Sequence, residues 1–172
     1  MSLRIHPVIP GTKPELAALE EKILQERGRI SPLYQVLLNA PEIAQGWEAL
    51  LTAIRNRNSL SPAIREMIIL RVAVLNRAQY EFDAHVPHAL KAGMSKEKVA
   101  LLKEEAISEV FSEHERLILQ LTDVMTQEIQ VPDSLFDRVK PHFNDQEILE
   151  LVTTISAYNM VSRLLNALHI GH

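Results

Sequence analysis

Two stretches of this chain are apolar nearly all the way round a helix, and they dictate what the rest must do. One is Ile64-Arg65-Glu66-Met67-Ile68-Ile69-Leu70-Arg71-Val72-Ala73-Val74-Leu75, and the other runs from Ile148 to Leu168 through Leu151, Val152, Ile155, Ala157, Met160, Val161, Leu164 and Leu165. At about 3.6 residues per turn such segments have little polar face to offer water, so both are expected as core helices wrapped by others. The punctuation around them is also helical. Thr12 with Glu15, Ser112 with Glu115 and Asn144 with Glu147 read as capping boxes, and Ser31-Pro32 and Ser61-Pro62 put proline where its missing N–H does no harm. Helices are expected near 13–27, 32–39, 41–57, 62–77, 79–91, 96–104, 113–128, 133–140 and 145–168. No segment alternates apolar and polar residues between hairpin turns, so the expected fold class is all-α.

The 172 residues fit one domain spanning 1–172, and a chain of that length buries roughly 70% of the surface its unfolded form exposes. The two apolar helices can be laid over one another with Glu66 on Glu150, Met67 on Leu151, Ile68 on Val152 and Ala73 on Ala157, which hints at an internal duplication. Trp47, the one tryptophan, shares a helix with Leu50, Leu51 and Ile54 and is expected in the core or at a subunit contact.

Composition removes several classes of function. Lys and Arg total 18 against 22 Asp and Glu, a formal charge of −4, with no basic block of the kind that tracks phosphates, so nucleic acid is not expected as a partner. There is no cysteine, which removes disulfides, thiolate catalysis and cysteine-ligated metals together. No uninterrupted apolar run reaches about 18 residues, and MSLRIHPVIPG lacks the apolar centre of a secretion signal. No membrane partner and a cytoplasmic location are the expectations.

The residues suited to chemistry gather between Arg65 and His88. Glu81 and His85 lie four apart and His85 and His88 three apart, so all three can share a helical face. Glu66, on the preceding helix, can return its carboxylate toward the imidazole of His85, a geometry suited to proton transfer or to holding a metal. Each residue also has a plainer reading. Glu66 near a helix start gains from the helix dipole without any function, and His85 can be a half-buried ring capped by Glu81. His88 follows Pro87, which should kink the helix or free the carbonyl of Asp83. Tyr80 could donate to a developing oxyanion or serve as a wall. Arg71, in an apolar helix, needs a carboxylate partner if buried, either from the protein, for example Glu66 or Glu150, or from a substrate, and structural pairing is the favoured reading. His114, His142, His169 and His172 lie near helix ends and are expected to face solvent.

Ser61-Pro62, Arg65-Glu66, the apolar run, Asn76, Tyr80-Glu81, His85 and Ala92-Gly93-Met94-Ser95 together resemble the carboxymuconolactone decarboxylase family, the all-helical group that includes the alkylhydroperoxidase D-like proteins. The resemblance is closest over about residues 60–105, with a weaker match over 31–57 and through Ala157-Tyr158-Asn159 in the last helix. The peroxidase branch spaces a glutamate, two cysteines and a histidine as Glu66, Ala78, Glu81 and His85 are spaced here, so this chain departs from it at both atoms that would be oxidised. The resemblance implies an alkylhydroperoxidase D-like bundle, a homotrimer or homohexamer, and the decarboxylase branch of the family. In that reading His85, Glu66 and Glu81 are catalytic, Tyr80, Arg71 and His88 bind a small carboxylic acid or lactone, and no cofactor is needed. A metal-binding reading takes Glu81, His85 and His88 with Glu66 as an oxygen and nitrogen ligand set for zinc, manganese or iron. A third reading is a non-catalytic oligomer that binds a small acid.

Overall fold

Some helix starts are capped by side chains, and others begin on proline without such a cap. In the computed structural model, which describes residues 2–171, nine α-helices follow one another with no strand among the described residues. Ser61 accepts from the Ile64 amide at 3.3 Å ahead of α4 (Pro62–Leu75), whose first residue is a proline. Ser112 and Glu115 form a reciprocal capping box at the head of α7 (Glu113–Gln127), and Asn144 and Glu147 do the same for α9 (Asp145–Leu168). The Thr12–Glu15 expectation is corrected. The Thr12 hydroxyl turns back to the Ile9 carbonyl, and a 3-10 turn at Pro14–Leu16 precedes α1 (Ala17–Arg27).

The chain divides into two compact units, residues 2–57 with 165–171, and residues 58–164. The first contains α1, α2 (Pro32–Leu37) and α3 (Pro41–Asn56) around Leu16, Ile23, Leu37, Ala44 and the buried Trp47. Its core also holds a polar cluster. Glu48, with no exposure, accepts from Arg27 Nε at 3.1 Å, from the Thr52 hydroxyl and from the Tyr34 hydroxyl. Burial and the neighbouring carboxylate push the Tyr34 phenol far above its ordinary range, so it stays a neutral donor to that carboxylate.

The second unit is built on α4. Met67, Ile68, Ile69, Leu70 and Val72 are buried in it, each supplying about 1.5–3 kcal/mol of transfer free energy. Helix α4 packs chiefly against α5 (Gln79–Lys91) and then α7. Between α5 and α7 lies α6 (Lys96–Leu101), and α8 (Asp133–Val139) with a 3-10 turn at Lys140–His142 leads to α9. Helix α6 ends three residues before its expected stop. The carbonyls of Leu102, Glu104 and Glu105 accept from Arg71 instead of continuing a helical ladder.

Helices α4 and α5 end in the same Schellman geometry. After α5, Gly93 at φ 94° supplies the left-handed residue, with Met94 N–H bonding the Ala89 carbonyl. After α4 that position is Arg77 at φ 55°, with Ala78 N–H bonding the Ala73 carbonyl, although a side chain there costs roughly 1–2 kcal/mol. Pro87 sits inside α5 without ending it. The duplication hint gains no chemical support from its paired acids. Glu66 is buried against His85, whereas Glu150 accepts from the backbone and hydroxyl of Ser59. Among the outlying histidines His142 faces solvent as expected. His114 is half-buried beside the rings of His142 and Phe143, His169 is half-buried, and His172 lies outside the described residues. No helix among the described residues is long and apolar enough to cross a membrane.

Candidate active site

Helix α4 turns Glu66 inward one turn past its proline start, and α5 brings His85 to it across the 19-residue separation expected from sequence. His85 Nδ1 lies 2.7 Å from Glu66 Oε2, with both side chains buried. With Glu66 ionised, Nδ1–H donates to the carboxylate and fixes the ring. Nε2 is then the ring nitrogen that does not face Glu66. The ring is also held edge-on by Tyr158 of α9, at 5.3 Å between centroids and 90° between planes. Tyr158 was absent from the residues expected at the site. Its one sequence trace was the Ala157-Tyr158-Asn159 likeness to the family's last helix.

Glu81 stands one turn before His85 on α5, 2% exposed, and neither carboxyl oxygen has a hydrogen-bond partner among the described residues. Burial alone raises its pKa well above the ordinary 4.5 and so favours the protonated acid. The sign of the linkage follows. Above the unfolded value the folded chain keeps a proton that the unfolded chain has lost, so stability falls as pH rises, by up to about 1.4 kcal/mol per pH unit. In urea unfolding between about pH 5 and pH 7, Glu81→Gln is expected to gain steadily on the wild type. Parallel pH profiles for the two proteins would mean that Glu81 is ionised in the folded state.

The other expected residues are placed as follows. His88 is exposed, with its ring centroid 5.7 Å from that of His85. Tyr80 is half-buried and lies five residues before His85, about 140° round the helix, so it does not share that face. Arg71 makes the structural pairing favoured from sequence, and its substrate-binding role is corrected. All five of its N–H donors are taken, two by Asp123 in a bidentate pair at 2.7 and 2.6 Å and three by the carbonyls of Leu102, Glu104 and Glu105. Its carboxylate partner is therefore neither Glu66 nor Glu150, and no donor remains for a substrate. The metal reading is corrected too. Among the described residues no group of three or more His, Asp or Glu side chains converges as a ligand set, the Glu66, Glu81, His85 and His88 group included.

The arrangement is thus a buried carboxyl–imidazole pair one turn from a second buried carboxyl group, in a chain with no thiol. It can move protons. It cannot form a disulfide or a sulfenic acid.

Comparison with known proteins bears on the family and the fold. Residues 41–123, which include Glu66, Glu81 and His85, match the carboxymuconolactone decarboxylase family. The YdfG protein of Bacillus subtilis is 27% identical over 110 residues, covering 63% of this chain and 75% of that protein. A protein of unknown function from Agrobacterium tumefaciens superposes with a TM-score of 0.73 at 26% identity, over 79% of this chain and 94% of that one. The alkylhydroperoxidase AhpD core of a peroxidase-related protein from Ralstonia eutropha shares the fold, with a TM-score of 0.81 at 14% identity over 99% of this chain and 92% of that one. Residues 41–123 thus match the carboxymuconolactone decarboxylase family, and the chain shares the fold of alkylhydroperoxidase D-like proteins.

Proposed function

We propose that the protein is a cofactor-independent lyase that acts on a small carboxylated lactone or related acid by proton transfer. The observation that carries this reading is the 2.7 Å contact between Glu66 and His85 Nδ1, which orients the imidazole and supports its charged form. Thiol peroxidation is not open to a chain without cysteine.

In the proposed reaction the bond from the ring to the carboxylate carbon breaks and carbon dioxide leaves. The electron pair passes into the conjugated lactone carbonyl, giving a dienolate. His85 Nε2–H then delivers a proton to the far carbon of that system, and the electrons return to form the product double bond. Glu66 orients the ring and stabilises the imidazolium that precedes proton delivery. His88, exposed and beside His85, is suited to return a proton from solvent, and Tyr80 remains a candidate for substrate contact. Burial of Glu81 favours its uncharged form, which lessens the negative charge facing a carboxylated substrate. Assembly as a homotrimer or homohexamer belongs to the same proposal.

The test is turnover of 4-carboxymuconolactone, followed by loss of its absorbance and by release of carbon dioxide. Turnover by the wild type that His85→Gln lacks supports the lyase and its proton donor. Absence of turnover by the wild type removes this substrate, and equal turnover by both proteins removes His85 from the role.

A further inference from the structure

Beside the α4–α5 turn is a cavity of about 300 Å³ lined by Ala73, Val74, Arg77, Ala78, Gln79, Phe82 and Lys103. The volume is at the small end of the range for ligand sites. Ala73, Ala78 and Phe82 are buried and make an apolar floor, whereas Arg77 and Lys103 are exposed. No acidic side chain lines the cavity, and neither cation has a carboxylate partner among the described residues. The Lys103 ammonium is held over the Phe82 ring, 4.6 Å from its centroid, which leaves its remaining valence for another partner.

We propose that this cavity binds a small organic anion, a single-ring or short-chain carboxylate, with its apolar body on Phe82 and Ala78 and its charge between Arg77 and Lys103. The site stands whether or not the protein is a lyase, since it shares no residue with the Glu66–His85 pair. Guanidinium and ammonium together suit a carboxylate, with the fork of Arg77 bonding it and Lys103 supplying a point charge.

The test is isothermal titration of the intact protein with benzoate and with benzamide, its uncharged analogue. Benzoate is expected to bind saturably in the millimolar range or tighter, more weakly as salt rises, and benzamide to bind much less. Arg77→Gln and Lys103→Gln should each weaken benzoate by roughly 10–100-fold, while Lys96→Gln, a cation outside the cavity, should not. Arg77→Gly separates ligand binding from folding, because it should raise the melting temperature while lowering benzoate affinity. Absence of saturable benzoate binding, equal binding of benzamide, or affinity indifferent to both cation substitutions would overturn the proposal.

Discussion

Arg71→Met is expected to destabilise the second unit by about 3–5 kcal/mol, the cost of breaking a buried ion pair from one side. Methionine restores much of the lost volume, so the loss comes from polar groups rather than from a cavity. Asp123 forfeits both bonds of its bidentate pair, and the Leu102, Glu104 and Glu105 carbonyls forfeit their donor. Asp123 retains 19% side-chain exposure and can recover some hydration, which favours the lower end of that range. Arg71→Lys keeps the charge but cannot span acceptors on both sides of the planar fork, so an intermediate loss is expected. Urea unfolding measures both, and hydrogen exchange at residues 102–105 should accelerate before the rest of the unit. A loss under about 1 kcal/mol would mean that the pair behaves as an ordinary surface contact. Because Arg71 has no donor to spare, Arg71→Lys protein that remains folded should keep the wild-type KM for a carboxylated substrate.

For the proposed reaction, His85→Gln should lower turnover by about 10²–10⁴-fold. Glutamine is the informative replacement. Its amide can still donate to Glu66 and spare the fold a buried unpaired carboxylate, yet it has no proton to give at the reacting carbon. Glu66→Gln removes the group that orients the ring and should cost about 10–100-fold. The two should not add. Once His85 is gone Glu66 has no ring to orient, so the double variant should match His85→Gln alone. Additive losses would show that Glu66 acts on the substrate directly, and a preserved kcat in His85→Gln would place the proton donor elsewhere.

The parts of this structure legible in the sequence are those set by local rules. Proline starts, the caps at Ser61, Ser112 and Asn144, and the near-round hydrophobicity of α4 and α9 each involve residues a few positions apart. The Glu66–His85 pair was legible for a related reason, since consecutive helices joined by a short turn return their facing sides to one another. Legibility failed where partners lie far apart along the chain. Asp123 is 52 residues from Arg71, and many acids would have fitted that arginine equally well. The early end of α6 followed from the same contact, because no local pattern reveals a guanidinium that will claim its carbonyls. Glu81 was legible as a member of the His85 face, but its lack of partners depends on what every neighbouring element leaves unsaid.

One feature of the second unit bears on how α4 and α9 find a single arrangement. Asn76, at the end of α4, donates its side-chain amide to Asn159 Oδ1 at 2.8 Å and to the Ser162 hydroxyl at 2.7 Å, and Asn159 in turn donates to Thr126 of α7 at 3.0 Å. Helices that are greasy on all sides can turn about their axes, or slip by a turn, with little change in the area they bury. Here any such slip would strand buried amides away from their acceptors. The Asn76–Asn159–Thr126 chain is thus a keying pin across three helices, and its worth is to be sought in the uniqueness of the packed state: Asn76→Leu should melt near the wild-type temperature but with a broader transition and poorer NMR dispersion.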